Sequence, residues 1–198
     1  EEVVKVVSES KNICENFHIP AQSGSNRILK AMNRGYTREK YLSLVNSIKK
    51  YCPEAAITTD IIVGFPGETE EDFQDTLSLM QEVQFDAAYT YIYSKRSGTP
   101  AAGFEDQIPL NVKKERLNRL MEVQNETSLT KNKLLIGKKL EVLAEGPSHS
   151  NSEFWAGRTR TNKLVLWPIM GKQYTIGQAV NVEIVSAQTW LLKGKAES

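Results

Sequence analysis

Apolar and polar positions in the first half of the chain follow two alternating periods. Three short runs are rich in β-branched and aromatic residues and end in turn-forming residues, which predicts β-strands. These runs are NFHIP (16–20), AAITTDIIVGF (55–65) and FDAAYTYIYS (85–94). The stretches between them have the apolar spacing of helices. Strand and helix in alternation predict an α/β fold, in which right-handed crossover helices join the strands of a parallel sheet.

Two of these helices have clear start signals. Thr37 precedes REKYLSLVNSIKKY and Thr69 precedes EEDFQDTLSLMQEV, and each threonine is a suitable N-cap. The acidic first turn of the second helix also suits the helix dipole. The apolar stripes that the two helices would bury are Tyr41, Val45, Ile48 and Tyr51 in the first, and Phe73, Leu77, Met80 and Val83 in the second.

The pattern changes after a charged amphipathic helix, which is predicted from about Asn111 to Leu134. Short β-type runs follow, divided by Gly, Pro, Ser and Asn: KKLEVLAEG, FWAGRTR, KLVLWP, AVNVEIVSA and TWLLKGKA. They predict a small all-β module of about five strands, the size of an OB-like barrel. We therefore place a domain boundary near Ile136–Gly137, with one domain over 1–136 and the other over 137–198.

Charge adds one asymmetry to this picture. The 198 residues contain 25 Lys and Arg against 24 Asp and Glu, a net charge of +1. From Gly137 onward there are eight Lys and Arg against five Glu, a net of +3, which leaves −2 for the preceding part. A mildly basic β domain suggests a polyanionic partner.

Cysteine use and apolar run lengths indicate an intracellular protein. Cys14 and Cys52 match no metal-ligand spacing and are predicted to be reduced, part-buried thiols. No apolar run approaches the length of a membrane span, and no signal-peptide pattern opens the chain. The chain starts without Met in what looks like the middle of a helix, so we expect it to be a fragment of a longer protein.

Polar residues cluster at the ends of the three predicted strands. In parallel α/β folds, ligands bind at the carboxyl ends of the strands. The three ends carry PAQSGS (20–25), GFPGET (64–69) and SKRSG (94–98). Each could be an ordinary turn, a helix cap (Ser25 as N-cap) or a solvated edge. Because the three would meet at one edge of one sheet, we predict a binding rim there.

Two familiar kinds of chemistry are disfavoured. A phosphate loop needs Gly-Lys-Ser/Thr, whereas Glu68 and Thr69 follow the second glycine here, and a carboxylate at that point repels phosphate. His149 lies in a Ser/Asn-rich loop and is predicted to be at the surface, while strand alternation would turn His18 towards the interior of a barrel. No Cys/His or Ser/His/Asp set can be completed, so we assign no catalytic residue and no metal ligand.

The β domain contains a basic hairpin, GRTRTNKLVLW (157–167). Its cations are Arg158, Arg160 and Lys163, and the nearby tryptophans are Trp155 and Trp167. Basic groups beside exposed aromatic rings bind looped or single-stranded RNA through phosphate contacts and base stacking. The alternative for the two tryptophans is a place in the core of the barrel, which we favour for them but not for the cations.

Three long motifs, in order, resemble those of the radical SAM methylthiotransferases. They are FHIPAQSGSNRILKAMNRGYTREKY, TTDIIVGFPGETEEDF and YIYSKRSGTPAA, and residues from about 134 to 195 resemble the TRAM domain of the same family. The resemblance implies the carboxyl-terminal half of a partial TIM barrel followed by an OB-like TRAM barrel. It further implies S-adenosylmethionine and two 4Fe–4S clusters as cofactors. The implied reaction adds a methylthio group at carbon 2 of N6-isopentenyladenosine beside the tRNA anticodon.

The sequence departs from this family in one respect. The Cys-x-x-x-Cys-x-x-Cys motif that holds the radical SAM cluster is missing, and Cys14 and Cys52 cannot replace it. We therefore expect that this fragment binds no cluster and is inactive by itself. The resemblance implies the amino-terminal part of the same protein and the tRNA anticodon stem-loop as partners. It also implies a cytoplasmic location and a full-length monomer without membrane contact.

The matched motifs imply roles for individual residues. Arg34 would reach the carboxylate of the cofactor, since its bidentate fork suits that group. The implied cofactor contacts as a set are Pro20, Gln22, Ser23, Arg34, Asp60, Gly64 and Phe65. Tyr93, Ser94 and Arg96 would line the substrate side, and Arg158, Arg160 and Lys163 would bind tRNA phosphates.

Two alternatives remain open. Other members of this family would methylthiolate threonylcarbamoyladenosine in tRNA or an aspartate of a ribosomal protein. A different class is a non-catalytic RNA-binding module, in which the α/β part only supports the β domain. Cysteine triplets encoded upstream of this chain would favour the enzyme.

Overall fold

The computed structural model describes residues 2–169 and 173–197. Packing divides the chain into two compact units. Unit 1 comprises Glu1–Ser8 and Phe17–Thr127, and unit 2 comprises Glu9–Asn16 and Ser128–Ser198. The predicted boundary at Ile136–Gly137 lies further along the chain than this division, and the sequence gives no sign that residues 9–16 pack with the β domain.

Nine regular segments precede the β domain. They are α1 (Glu2–Glu9), β1 (Asn16–His18), α2 (Asn26–Ala31), α3 (Arg38–Tyr51), β2 (Ala56–Val63), α4 (Glu70–Val83), β3 (Ala87–Ile92), a 3₁₀ turn (Pro100–Gly103) and α5 (Leu110–Lys133). The strands form one sheet in the order β1-β2-β3. β2 and β3 run parallel from Thr58 opposite Ala87 to Val63 opposite Ile92. The predicted α/β sheet with helical crossovers is confirmed.

The predicted helix starts are also confirmed. The Thr37 hydroxyl accepts the Lys40 N–H at 3.4 Å at the start of α3. At α4, the Thr69 hydroxyl accepts the Asp72 N–H, and the Asp72 carboxylate accepts the Thr69 N–H. Such a reciprocal pair satisfies two of the backbone donors that a helix start leaves without partners. Seven of the eight stripe residues are buried, and Tyr51 is half-buried.

The sheet has one covered face and one open face. On β2, Ile57, Thr59, Ile61 and Val63 are buried, whereas the intervening Thr58, Asp60 and Ile62 are partly exposed. The register sets Asp60 beside Tyr89 and Ile62 beside Tyr91 of β3, and both tyrosines are exposed. Strand alternation therefore builds the core of unit 1 on one side of the sheet and leaves a polar and aromatic surface on the other.

Unit 2 contains a closed five-stranded barrel. Its strands are β4 (Lys139–Pro147), β5 (Phe154–Thr159), β6 (Leu164–Pro168), β7 (Ala179–Ala187) and β8 (Leu192–Ala196), in the order β4-β5-β6-β8-β7. The barrel of about five strands is confirmed. Trp167 is fully buried and Trp155 nearly so, with their rings stacked at 6.5 Å, so both belong to the core as we favoured.

The cysteine prediction is half right. Cys52 is buried against α1, where its thiol lies 3.8 Å from the Val4 carbonyl oxygen. Cys14 is exposed, because it lies in the surface segment between α1 and β1, so its prediction as a part-buried thiol was wrong. Among the described helices, none is both long and apolar enough to cross a membrane.

Candidate functional site

A cavity of about 720 Å³ opens at the carboxyl ends of β2 and β3. This volume is in the range of small-molecule sites. The predicted site residues that line it are Arg34, Phe65, Tyr93, Ser94 and Arg96, joined by Ile62, Tyr91, Phe104 and neighbouring loop residues. The structure thus brings five of the predicted residues together at the expected edge of the sheet, while their individual roles stay predictions.

Aromatic rings form one wall of this cavity. Phe65 and Tyr93 pack edge to face with their ring centres 5.1 Å apart, and Phe104 packs on Phe65 at 6.3 Å. The Lys113 ammonium lies 5.0 Å from the centre of the Tyr93 ring and donates to the Tyr93 carbonyl at 3.1 Å. The Tyr93 hydroxyl is buried without a hydrogen-bond partner among the described residues. An aromatic wall with a buried hydroxyl still to be satisfied suits a nucleoside.

Arg34 is one of two arginines that line the cavity, with Arg96, and Gln22 orients it. The Arg34 guanidinium donates to the Gln22 side-chain carbonyl at 3.0 Å. Gln22 has a φ of 64°, and its backbone bonds to β2 on both sides, donating to Asp60 and accepting from Ile62. Gln22 is buried and does not line the cavity. Gln22 therefore supports Arg34 from within the fold rather than from the cavity. The remaining N–H groups of Arg34 suit a carboxylate.

The turn between β2 and α4 is fixed by a buried ion pair. The Glu68 carboxylate accepts the Gly64 N–H at 2.9 Å and pairs with Arg116 of α5 at 2.7 Å. Burial raises the pKa of Glu68, although the Gly64 N–H and Arg116 both act to lower it. The Gly64 N–H is thus used inside the fold, which leaves Phe65 as the predicted residue of this turn that lines the cavity.

Gly64 is required where Lys113 crosses it. The glycine has a φ of +72°, and a Cβ added there would lie 2.4 Å from the Lys113 side chain. Any larger residue would displace the lysine that holds Tyr93. The glycine therefore fixes the aromatic wall through α5.

The small polar residues of PAQSGS pack onto α4. The Ser23 hydroxyl lies 3.3 Å from that of Thr76, and the Ser25 hydroxyl donates to Asp72 at 2.6 Å. Burial alone would raise the pKa of Asp72, but hydrogen bonds from Arg27, Ser25 and Thr69 lower it well below its ordinary value. Both serines are buried, which is the capping alternative rather than the binding rim. The Pro20 carbonyl accepts a hydrogen bond from the Tyr36 hydroxyl at 3.0 Å. A cofactor contact of Pro20 or Ser23 stays a prediction.

The open face of the sheet extends from the cavity along the strands. His18 lies there with its Nδ1 at 3.0 Å from the Thr58 hydroxyl and its Nε2 at 3.5 Å from the Asp60 carboxylate. Its ring meets Tyr89 edge to face at 5.9 Å. Our sequence reasoning missed Tyr89 and Tyr91, although every second residue from Tyr89 in AAYTYIYS is a tyrosine, which places these rings on one face of the strand.

The three cations predicted for RNA have different surroundings within unit 2. Arg160 forms a two-pronged ion pair with Glu15 at 3.0 Å and also donates to the carbonyls of Lys11 and Ile13. The Lys163 ammonium donates to the Asn132 side chain at 3.0 Å. Arg158 is exposed, and its guanidinium lies 3.7 Å from the Glu145 carboxylate. Arg160 holds residues 11–15 on the barrel, whereas Arg158 points outward.

The Arg160–Glu15 pair is expected to stabilise unit 2 by about 1–2 kcal/mol near neutral pH, since it is two-pronged and half-buried. The hydrogen bond from Arg160 lowers the pKa of Glu15 below its ordinary 4.5. A lowered carboxyl pKa stabilises the fold above the unfolded-state value, and this is lost as the pH falls through the folded-state value. A double-mutant cycle of Arg160→Gln and Glu15→Gln in urea should show this coupling at about pH 7 and lose it progressively as the pH falls below the ordinary carboxyl value and through the lowered one.

The matched control for this cycle is Arg158→Gln with Glu145→Gln. That pair is exposed and 3.7 Å apart, so its coupling should stay below about 0.5 kcal/mol. Equal coupling in the two cycles would contradict the structural role of Arg160.

Comparison with known proteins identifies the class of both units. The sequence profile of the radical SAM superfamily matches residues 1–80, and that of the TRAM domain matches residues 133–196. The chain therefore combines a radical SAM segment with a TRAM domain. The resemblance drawn from the three motifs is confirmed, and so is the fold class, a partial radical SAM barrel followed by an OB-like barrel.

Curated proteins with names show which members of these families the chain resembles. Curated proteins named tRNA-2-methylthio-N(6)-dimethylallyladenosine synthase match 98% of this chain. The one from Moorella thermoacetica is 54% identical over 43% of its own length, that from Clostridium botulinum 53% over 43%, and that from Acetivibrio thermocellus 52% over 40%. The chain spans less than half the length of the curated relatives it matches.

A solved structure agrees with the fold. Coproporphyrinogen III oxidase from Escherichia coli, a radical SAM enzyme, superimposes with a TM-score of 0.51 over 74% of this chain and 41% of that chain. The two sequences are 13% identical, so the comparison bears on the fold alone.

Of the two kinds of cofactor that the resemblance implies, the described residues suit S-adenosylmethionine but not a 4Fe–4S cluster. S-adenosylmethionine fits the cavity, which offers the Arg34 guanidinium for a carboxylate and the Phe65 and Tyr93 rings with a buried hydroxyl for a nucleoside. A 4Fe–4S cluster that binds S-adenosylmethionine takes three cysteine thiolates. In the part of the chain that the structure describes, no three His, Cys, Asp or Glu side chains are placed to hold a metal ion. The described residues therefore do not fit a cluster.

Proposed function

We propose that this chain is the carboxyl-terminal part of a radical SAM tRNA methylthiotransferase. The full-length protein would add a methylthio group at carbon 2 of N6-isopentenyladenosine next to the tRNA anticodon. The observation that carries the proposal is the identity of 52–54% to the curated tRNA synthases, which extends over 98% of the chain and so includes both units.

The cavity supports a role for unit 1 in holding S-adenosylmethionine. Arg34, oriented by Gln22, would bind the carboxylate, and Phe65, with the Tyr93 ring packed against it, would receive the adenine. Asp60 and Gly64 do not line the cavity, and their cofactor contacts stay predictions. Tyr93, Ser94 and Arg96 would face the substrate. The two 4Fe–4S clusters would be held by the amino-terminal part of the same protein, and the chain alone would be inactive.

Unit 2 would bind the tRNA. A TRAM domain with a net charge of +3 from Gly137 onward suits a polyanion. We further propose a cytoplasmic location and a monomeric full-length protein, as expected for an enzyme that modifies single tRNA molecules.

The test is the nucleoside product. The full-length protein that carries this chain, with its clusters reconstituted, should convert isopentenyladenosine in tRNA to its 2-methylthio form. Digestion of the tRNA and mass spectrometry would show the added mass of one methylthio group in place of one hydrogen. The 198-residue chain by itself should give no product.

Two further substrates separate the alternatives. If threonylcarbamoyladenosine tRNA or a ribosomal protein is modified instead, the proposed substrate is wrong although the class of enzyme holds. If the full-length protein binds tRNA but makes no methylthio product with any of the three substrates, the non-catalytic alternative is favoured.

A further inference from the structure

Trp190 is the exposed tryptophan of unit 2. It lies at the tip of the β7–β8 hairpin, in the turn closed by the Gln188 N–H to the Leu191 carbonyl at 2.8 Å. Its side chain is 57% exposed, whereas Trp155 and Trp167 are in the core. A large exposed aromatic residue at a hairpin tip contributes nothing to the core, and its ring is accessible for stacking on a ligand.

The outward side of β5, β6 and β8 forms one surface beside Trp190. The register sets Arg158 opposite Leu164, and Leu166 beside Lys193. These residues alternate with buried ones along each strand, so they share the outer side of the barrel. We call this surface the β5–β6–β8 face; its members are Arg158, Leu164, Leu166 and Lys193, and Trp190 lies in the turn that leads into β8.

A hydrogen-bond network attaches Lys163 to the edge of this face. β6 and β8 are parallel with Val165 beside Leu192, so Lys163 lies just before the paired part of β6 and Trp190 just before that of β8. The Lys163 ammonium donates to the Asn132 side chain, whose amide donates to the carbonyls of Gln188 and Thr189 at 2.9 and 3.0 Å. This network fixes the turn that presents Trp190.

The charges of the face are open to an anion. Lys193 makes no ion pair with the described residues, and its cross-strand neighbours Leu166 and Ser186 are neutral. Arg158 has one carboxylate nearby, that of Glu145, at 3.7 Å. Three strands are about 10 Å wide, so the two cations stand on either side of a narrow apolar strip, and the turn that carries Trp190 leads into the strand of Lys193.

We propose that the β5–β6–β8 face binds a single-stranded loop of RNA, with one base stacked on Trp190 and phosphates at Lys193 and Arg158. Stacking on an exposed aromatic ring and phosphate contact from flanking cations are the two interactions that hold unpaired RNA. The inference rests on the proposed function for its ligand class, and it places the RNA on a surface that does not include Arg160.

The experiment titrates a labelled RNA hairpin with an unpaired loop against the 198-residue chain. Trp190→Ala should weaken binding about 10-fold and leave its salt dependence unchanged, because stacking involves no counterion release. Trp190→Phe should restore most of the affinity. Lys193→Gln should weaken binding about threefold and reduce the slope of log affinity against log salt by about 0.7, as one lost phosphate contact requires.

The matched control is Lys139→Gln. Lys139 is an exposed cation on the outer side of β4, where it pairs with Glu197, and the variant has the same charge change outside the face. It should bind RNA within about twofold of the original chain. Equal losses for Lys139→Gln and Lys193→Gln, or unchanged binding by Trp190→Ala, would overturn the inference.

A failure of the proposed function can be distinguished from a failure of the RNA site. If the full-length protein makes the methylthio nucleoside while Trp190→Ala binds RNA normally, the face is wrong and the function holds. If the face behaves as stated and no methylthio product forms, the RNA site holds and the function is wrong.

Discussion

Replacing Arg116 with Met is expected to lower the free energy of unfolding by about 3–5 kcal/mol. Arg116 is buried, donates to the Glu68 carboxylate at 2.7 Å and to the Glu68 carbonyl at 3.1 Å, and lies over the Phe73 ring. Methionine keeps much of the apolar packing but leaves the Glu68 carboxylate buried without its cation. An unpaired buried charge is among the most destabilising changes that a single substitution can make.

The loss should depend on pH in a defined direction. Burial holds the pKa of Glu68 above its ordinary value even with Arg116 present, and removing the cation raises it further. A carboxyl with a raised folded-state pKa destabilises the fold as the pH rises from the unfolded-state to the folded-state value. The penalty of Arg116→Met should therefore be larger at about pH 8 than at about pH 5, as measured by urea denaturation.

Arg119→Met provides the matched control one turn along α5. Arg119 is paired with Glu70 and Glu115, each at 2.9 Å, but its side chain is 33% exposed and both partners face solvent. The same substitution there should cost about 1 kcal/mol or less. If the two variants were equally stable, burial of the Glu68–Arg116 pair would not be what fixes this turn.

The elements that the sequence predicts well are those whose signals are local. Thr37 and Thr69 stand directly before the apolar stripes they introduce, and alternation within DIIV and YTYIY decides which face of each strand is buried. The ends of β2 and β3 were likewise predicted to meet, and they do so at one cavity, because a parallel sheet brings its carboxyl ends together. The end of β1 packs onto α4 instead.

The details of the site depend on contacts that no local signal reveals. Ser23 and Ser25 look like ligand groups until α4, which follows about fifty residues later, supplies Thr76 and Asp72 as their partners. Arg160 looks like a free cation because Glu15, its partner, is 145 positions away. A sequence pattern indicates which groups need a partner, but only the packed chain decides whether that partner is another residue or a ligand.

Gly24→Ala is expected to destabilise unit 1 by about 3 kcal/mol, the upper end of the cost of overpacking. A Cβ at this position would lie 2.3 Å from the Asp75 carbonyl oxygen and 2.6 Å from the Thr76 Cα. Both are backbone atoms of α4, so no side-chain rotation can relieve the contact and the helix itself must move. This glycine therefore sets how closely α4 approaches the loop that follows β1.

The displacement should reach the cavity through Gln22. The Gln22 carbonyl accepts the Ile62 N–H at 2.9 Å, and its side chain orients Arg34. Hydrogen exchange at the Ile62 amide should therefore accelerate in Gly24→Ala along with the fall in the urea midpoint. Gly35→Ala is the control, since a Cβ there meets no described atom within 4 Å, and it should change stability by less than about 0.5 kcal/mol. If Gly24→Ala were as stable as Gly35→Ala, α4 would be able to move away from the loop without cost. The close packing of α4 on Gly24 would then not be what orders the Gln22–Arg34 pair.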